Sequence, residues 1–274
     1  MELTEAHRSL DLMDYATVLF DIDGTLLIGE SLTPGAHEFV SACRSAGASI
    51  GFVTNASMPT FQQIAALLAS HGLGRPGDLL VTAAVTVAAE IVRQGYQTVV
   101  CAGHAGLASS LVHAGLEVIP ADSPAARSLA RAPGSVALAV GLFPDELPPV
   151  REHLEILLRA GVPCFVPTVE PHWPTPDGLK PGNGAVLASL QETIDFTVII
   201  CGKPSDVFAE ELKRSRELRE PLLVVGDTAA ADVALARANG WHSLLLLTGS
   251  TTRDESDAMA PSGTSAMYVF NDLV

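Results

Sequence analysis

The sequence of 274 residues predicts an α/β protein in which helices surround parallel strands. Two observations predict this class. Short β-branched or leucine-rich segments alternate with helical patterns along the whole chain, which is typical of βαβ units. Hydrophobic residues make up 48% of the chain, enough to form a sizeable core.

Eight segments have the composition of buried strands. In chain order they are TVLF, ASIGFVT, TVVCAG, VALAVGL, VPCFVP, TVIICG, LLVVGD and SLLLLTG. The segment SMPTFQQIAALLASHG has apolar side chains at helical spacing and ends at Gly72, so it predicts a helix with Ser57 as its N-cap. The proline-rich stretch from Val166 to Gly184 predicts a long loop without secondary structure of its own.

The chain length is typical of one or two domains. We expect a second α/β unit to be inserted in the first, from about Ile91 to Leu190. The first domain would then consist of residues 1–90 and 191–274.

The charge and the cysteine pattern limit the partners, the cellular location and the disulfide content that we expect. The chain has 16 basic and 31 acidic residues, and this net charge of −15 argues against nucleic acid or an anionic membrane as a partner. No apolar segment is long enough to span a membrane and the N-terminus has no signal pattern, so we expect a cytoplasmic protein. The cysteines have no CxxC spacing and are predicted to be buried free thiols: Cys43, Cys101, Cys164 and Cys201.

Two acids follow the first predicted strand. Asp21 and Asp23 are two residues apart, the spacing that returns side chains to the same face of a strand. Taken alone, such a DGT sequence is more often a polar turn. Two neighbouring carboxylates nevertheless repel each other unless a cation lies between them, so a cation site is the alternative.

Polar residues also follow three further predicted strands. Thr54 and Asn55 precede a helix and could hold a phosphate there, or could only cap that helix. Lys203 follows another strand, where a lysine is ordinarily solvated. Asp227 and Asp232 follow the strand LLVVG, and Asp227 alone could be an N-cap.

The joint pattern is more informative than any one member. Ligands bind at the carboxyl ends of the strands in open parallel sheets, and four strands here each end in a polar group. The carboxylates of Asp21, Asp23 and Asp227 suit Mg²⁺, which prefers oxygen ligands and is often completed by a substrate phosphate. Thr54 and Lys203 would hold the phosphoryl oxygens, and a carboxylate can act as the nucleophile.

These motifs resemble those of the haloacid dehalogenase superfamily of phosphatases. DIDGT is similar to its first motif, TN to its second, GKP to its third and GDTAAAD to its fourth, in the family order. The long insertion before CGKPSDVF and the segment PGNGAVLASL resemble the subfamily IIA branch of para-nitrophenyl, pyridoxal phosphate and phosphoglycolate phosphatases. The resemblance implies a Rossmann-like parallel-sheet core with an inserted α/β cap domain.

The resemblance also implies a role for each site residue. Asp21 would be the nucleophile, and Asp23 the general acid and then the general base. Mg²⁺ would be held by the Asp21 side chain, the Asp23 backbone carbonyl and Asp227, with Asp232 in support. The phosphoryl group would be bound by Thr54, Lys203 and, through its backbone, Asn55.

The cap loop departs from the subfamily. Relatives commonly have threonine, asparagine, proline and aspartate where this chain has TVEP, so their substrate contacts cannot be transferred. We expect the loop from Pro167 to Gly178 to select the leaving group, through residues such as His172 and Trp173. Glu170 and Asp177 are further polar candidates, and the alternative is that Trp173 only anchors the loop.

The predicted function is Mg²⁺-dependent hydrolysis of a small phosphate ester, such as a sugar phosphate, by way of an aspartyl-phosphate. Two alternatives stay open, a phosphorylation-dependent Mg²⁺-binding signalling domain and a phosphomutase, and carbon–halogen cleavage is a weaker third. Receiver domains, which are signalling domains of this kind, are far shorter than this chain. Carbon–halogen cleavage would not need the metal-binding acids or the second aspartate. A homodimer formed through the cap is a further expectation.

Overall fold

Each of the eight segments predicted as strands forms a strand in the computed structural model. The structure describes residues 10–142, 147–175, 178–259 and 266–274. Within them, the strands in chain order are β1 (Thr17–Asp21), β2 (Leu27–Ile28), β3 (Ser31–Leu32), β4 (Ser49–Thr54), β5 (Leu79–Thr82), β6 (Thr98–Ala102), β7 (Glu117–Pro120), β8 (Val136–Val140), β9 (Cys164–Val166), β10 (His172–Thr175), β11 (Gly178–Pro181), β12 (Val198–Ile200), β13 (Leu222–Gly226), β14 (His242–Leu246) and β15 (Tyr268–Phe270).

The helices alternate with these strands, as expected for an α/β protein. In chain order they are α1 (Ala36–Ser45), α2 (Phe61–Ser70), α3 (Ala83–Arg93), α4 (Ala105–His113), α5 (Pro124–Ser128), α6 (Leu147–Arg159), α7 (Asn183–Gln191), α8 (Asp206–Arg214), α9 (Ala234–Ala238) and α10 (Arg253–Met259). In the part of the chain that the structure describes, none of them combines the length and apolarity needed to cross a membrane.

The chain divides into two units. The first consists of the described parts of Met1–Thr54, Ala65–Val81 and Leu212–Val274, and the second of those of Asn55–Ile64 and Thr82–Glu211. The second unit is therefore wider than residues 91–190, because helix α3 contributes apolar side chains to its core and strand β12 pairs with β9. The domain boundaries drawn from the sequence stay a prediction.

The first unit contains a six-stranded sheet in the order β15-β14-β13-β1-β4-β5. Strand β1 pairs in parallel with β13 on one side and with β4 on the other. Both β1 and β13 are buried along their whole length, which explains their nearly continuous apolar sequences. The carboxyl ends of β1, β4 and β13 consequently lie at one edge of this sheet.

The second unit contains a five-stranded sheet in the order β12-β9-β8-β6-β7. Two apolar clusters contribute to its core: one includes Leu154 and Leu190, the other Ile91 and Leu111. Strand β12, which precedes Lys203, belongs to this sheet because it pairs in parallel with β9. The expectation that four polar strand ends share one sheet was therefore wrong for this strand.

Two local expectations were also wrong. Helix α2 begins at Phe61, and its first turn carries a capping box in which the Thr60 N–H donates to Gln63 Oε1 (2.8 Å) and the Gln63 N–H donates to Thr60 Oγ1 (3.2 Å). Ser57 is therefore not the N-cap. The stretch from Val166 to Gly184 is not a structureless loop, since β10 and β11 form an antiparallel hairpin within it. Proline is tolerated there because each strand of a two-stranded ribbon has an outer edge with no neighbouring strand.

Candidate active site

Three carboxylates meet at the edge of the six-stranded sheet. Asp21 is the last residue of β1, Asp227 directly follows β13, and Asp232 lies one turn further on. Their exposed fractions are 6%, 1% and 2%. One oxygen from each lies within 4.8 Å of those from the other two. Three buried carboxylates at this separation repel one another, so the cluster needs a positive charge.

The carboxylate of Asp227 is held from two sides. Thr25 Oγ1 donates a hydrogen bond to its Oδ1 (3.3 Å), and the backbone N–H of Ser250 donates to its Oδ2 (2.5 Å). Thr25 is fully buried and lies in the turn that follows Asp21. The orientation of Asp227 is therefore determined by the DGT turn and by the segment after β14.

Asp232 reaches the cluster through an irregular turn. Residues Ala229–Val233 form a π-helical turn, a conformation frequent at functional sites, and it places Asp232 beside the end of β13. Its Oδ2 accepts a hydrogen bond from the Thr228 N–H (3.1 Å). A Cβ on Gly226 would lie 2.2 Å from this carboxylate, so glycine is required at the end of β13.

The donor set fits Mg²⁺. Its members, Asp21, Asp227 and Asp232, offer carboxylate oxygens, which this ion prefers. Oxygens on opposite sides of an octahedral Mg²⁺ lie about 4.2 Å apart, since each bond is about 2.1 Å long. The ligand atoms lie within 4.8 Å of one another, so all three carboxylates are close enough to contact one ion.

Asp23 follows Asp21 by two residues but, unlike Asp21, is exposed. It accepts a hydrogen bond at Oδ2 from the hydroxyl of Thr54 (3.3 Å), which is buried at the end of β4. The structure thus brings together the second acid of the first motif and the threonine of the second motif. An exposed carboxylate held in this way can exchange protons with a bound molecule or with water.

Asn55 and Lys203 are paired within the second unit. Asn55 Oδ1 accepts a hydrogen bond from the Lys203 N–H (2.7 Å), and Asn55 Nδ2 donates to the Lys203 carbonyl (3.1 Å). Lys203 is buried, with 4% of its surface exposed. The alternative in which Thr54, Asn55 and Ser57 only cap a helix was wrong, because α2 is capped by Thr60.

The predicted specificity residues lie on the hairpin. His172 begins β10 and is exposed, and Trp173 follows it, although the Trp173 side chain and Asp177 lie outside the described residues. Glu170, just before the hairpin, is within 3.5 Å of Asn55 Nδ2. An acidic side chain therefore lies close to the residue that pairs with Lys203.

Sequence reasoning did not find the residues around Asp227. Thr25 is part of the quoted DGT motif, but no role was predicted for its hydroxyl. The segment Thr248–Thr251 overlaps the end of the predicted strand SLLLLTG, and its small polar residues at a strand end were an available signal.

Comparisons with known proteins identify the family. A family described as haloacid dehalogenase-like hydrolase matches residues 18–117, and a second, HAD-hydrolase-like family matches residues 200–274. The two matches cover more than half of the chain and include all four motifs. The chain belongs to the haloacid dehalogenase-like hydrolases. The resemblance drawn from the motifs is thereby confirmed.

This haloacid dehalogenase-like hydrolase is similar to proteins named as phosphatases. It is 30% identical over 238 residues to D-glycerol 3-phosphate phosphatase of Mycobacterium tuberculosis, covering 86% of this chain. The chain spans 64% of the length of that relative.

Solved structures share its fold. Glycerol phosphate phosphatase from Mycobacterium tuberculosis in complex with magnesium superimposes with a TM-score of 0.84 at 28% identity, covering 97% of this chain and 78% of that one. The p-nitrophenyl phosphatase from Archaeoglobus fulgidus gives a TM-score of 0.81 at 29% identity, covering 95% and 97%. The predicted fold class, a parallel-sheet core with an α/β cap, is confirmed by these neighbours.

Proposed function

We propose that this hydrolase is a Mg²⁺-dependent phosphatase that acts on a small phosphomonoester such as a sugar phosphate. The observation that carries the proposal is the buried cluster of Asp21, Asp227 and Asp232, whose oxygens lie within 4.8 Å of one another and could together hold one metal ion. The named phosphatases among its relatives support the same reaction class.

The chemistry follows from the placement of the two acids of the first motif. When bound, Mg²⁺ neutralises charge on the phosphoryl oxygens and orients the ester. The Asp21 carboxylate attacks phosphorus, the bond from phosphorus to the ester oxygen breaks, and Asp23 gives its proton to that oxygen. Asp23 then accepts a proton from the water that attacks the aspartyl-phosphate, which releases inorganic phosphate and restores Asp21.

The remaining motif residues are proposed to bind the phosphoryl group. The hydroxyl of Thr54 lies next to Asp23 and can donate to a phosphoryl oxygen. Lys203 supplies positive charge for the equatorial oxygens, a recurring requirement of phosphoryl transfer. Asn55, paired with the main chain of Lys203, is proposed to support that lysine and to donate through its own backbone.

Substrate choice is proposed to lie in the cap loop. The metal and phosphate groups treat any phosphomonoester alike, so discrimination needs contacts beyond phosphorus. His172 and Trp173 are the proposed contacts. We also retain as proposals a cytoplasmic location and a homodimer formed through the cap.

A screen of small phosphate esters with and without Mg²⁺ tests the proposal. Purified protein is expected to release phosphate from para-nitrophenyl phosphate and from at least one natural ester, and to lose this activity with a chelator. The matched variants are Asp21→Asn, which should be inactive, and Asp257→Asn, an exposed acid on α10 that should retain activity. Inactivity of the wild type across a broad panel of metals and esters would instead favour a binding domain.

A further inference from the structure

The segment after β14 contacts the acid cluster at several points. Thr248 Oγ1 donates to the carbonyl oxygen of Gly24 (2.6 Å), and the Ser250 N–H donates to Asp227 Oδ2 (2.5 Å). The Thr251 N–H donates to the backbone carbonyl of Asp227 (3.1 Å). The segment Thr248–Thr251, which we term the TGST loop, therefore contacts both the main chain and the side chain of Asp227.

The TGST loop also fixes the turn that leads to Asp232. Thr251 is buried and its hydroxyl accepts a hydrogen bond from the Ala229 N–H (2.9 Å), the first residue of the π-helical turn. Together with the bond from Thr248 to Gly24, this places the TGST loop in contact with the DGT turn and with the turn that carries Asp232.

There is no room for a side chain at Gly249, because the Asp227 carboxylate lies next to it. A Cβ added at this position would lie 2.1 Å from Asp227 Oδ2 and 2.6 Å from its Cγ, far inside van der Waals contact. Any larger residue must displace the Asp227 carboxylate or the TGST loop. The Asp227 carboxylate is therefore positioned by hydrogen bonds, and it occupies space that is available only because residue 249 is a glycine.

We propose that the TGST loop is a fifth motif of the site, a positioning element that fixes Asp227 for metal binding. The inference rests on the proposed function, since it assumes that the cluster binds Mg²⁺. Its physical basis is that groups behind a metal ligand set the ligand's orientation, and their loss typically weakens metal binding about ten- to a hundredfold. Thr248 and Gly249 are positioning residues, because neither is proposed to touch substrate.

The experiment measures Mg²⁺ binding by titration calorimetry, without substrate, on the full chain. Gly249→Ala is expected to weaken Mg²⁺ binding at least about tenfold. Its matched control is Gly134→Ala, because a Cβ at Gly134 meets nothing within 4 Å. Thr248→Val, which loses the donor to Gly24, is expected to weaken binding about three- to tenfold, and Thr248→Ser, which keeps the hydroxyl, to restore it.

Thermal unfolding in chelator separates positioning from stability. The inference predicts that the variants bind Mg²⁺ more weakly than the wild type. This loss of affinity should be larger than any fall in the unfolding midpoint of the metal-free protein can account for. If Gly249→Ala and Thr248→Val bind Mg²⁺ as the wild type does while their midpoints fall, the TGST loop is merely structural and the inference is overturned. If the wild type itself binds no Mg²⁺, the proposed function fails together with the inference.

Discussion

The side-chain amide of Asn55 spans both main-chain groups of Lys203. Its Oδ1 accepts from the Lys203 N–H at 2.7 Å and its Nδ2 donates to the Lys203 carbonyl at 3.1 Å. An amide used in this way fixes the backbone of its partner at two points. The position of the buried Lys203 consequently depends on Asn55.

Asn55→Ala is therefore expected to lower kcat/KM about ten- to a hundredfold, because two hydrogen bonds to Lys203 are lost. Inorganic phosphate should also inhibit the variant more weakly than it inhibits the wild type, which steady-state kinetics with added phosphate would measure. Asn239→Ala is the control, since Asn239 likewise donates to a backbone carbonyl, that of Leu235. Unchanged phosphate inhibition in Asn55→Ala would contradict the role assigned to Asn55.

The two acids of the first motif are expected to differ in their effects. Asp21→Asn removes the nucleophile and should abolish turnover. Asp23→Asn should slow both protonation of the leaving oxygen and hydrolysis of the intermediate, while the fold remains intact. Rapid-quench measurements with an activated and a poor leaving group would separate the two steps. Near-normal turnover by Asp21→Asn would rule out the covalent mechanism.

The cap loop is expected to control the ranking of substrates. Replacing His172 and Trp173 by Ala should change the order of kcat/KM among natural phosphate esters, but alter hydrolysis of para-nitrophenyl phosphate much less. The reason is that an activated ester depends little on contacts beyond phosphorus. Equal losses for both substrate types, or no loss for either, would show that the loop is structural.

The cysteines are expected to be unreactive in the native state. Burial raises the pKa of each thiol, Cys43, Cys101, Cys164 and Cys201, to about 12. A thiol reagent at pH 8 should label the folded protein slowly and the unfolded protein at once. Because the unfolded thiols ionise near pH 9, the free energy of unfolding should decrease between pH 9 and 12, by up to about 1.4 kcal/mol per pH unit for each thiol. Rapid labelling of all four in the native state would contradict this.

Much of the fold could be predicted because the signal was local. Continuous apolar runs such as Leu222–Gly226 are long enough to mark buried parallel strands, and each polar group after a strand was visible in the sequence. Which of the two sheets a strand would join was less predictable. Strand β12 looks like the other apolar strands, but its pairing with β9 depends on contacts distant in sequence. The hairpin β10–β11 was hidden by its prolines, which ordinarily indicate a loop.

The acids of the site could be predicted, whereas the backbone groups that orient them could not. Asp21, Asp227 and Asp232 carry charge at strand ends, and their meeting follows from parallel topology. The contacts of Ser250 and Thr251 with Asp227 use backbone N–H groups, which every residue except proline has. No residue type marks such a donor, so only the three-dimensional structure places it.

The central claim is that phosphate release depends on Mg²⁺ held by the acid cluster. The most direct test is the rate of phosphate release from para-nitrophenyl phosphate as a function of Mg²⁺ concentration, for the wild type and for Asp227→Asn. The account predicts a saturable dependence on Mg²⁺ in the wild type, complete loss with chelator, and a shift of the Asp227→Asn curve to at least about tenfold higher Mg²⁺. Phosphate release that is insensitive to chelator, or the same Mg²⁺ dependence in both proteins, would contradict it.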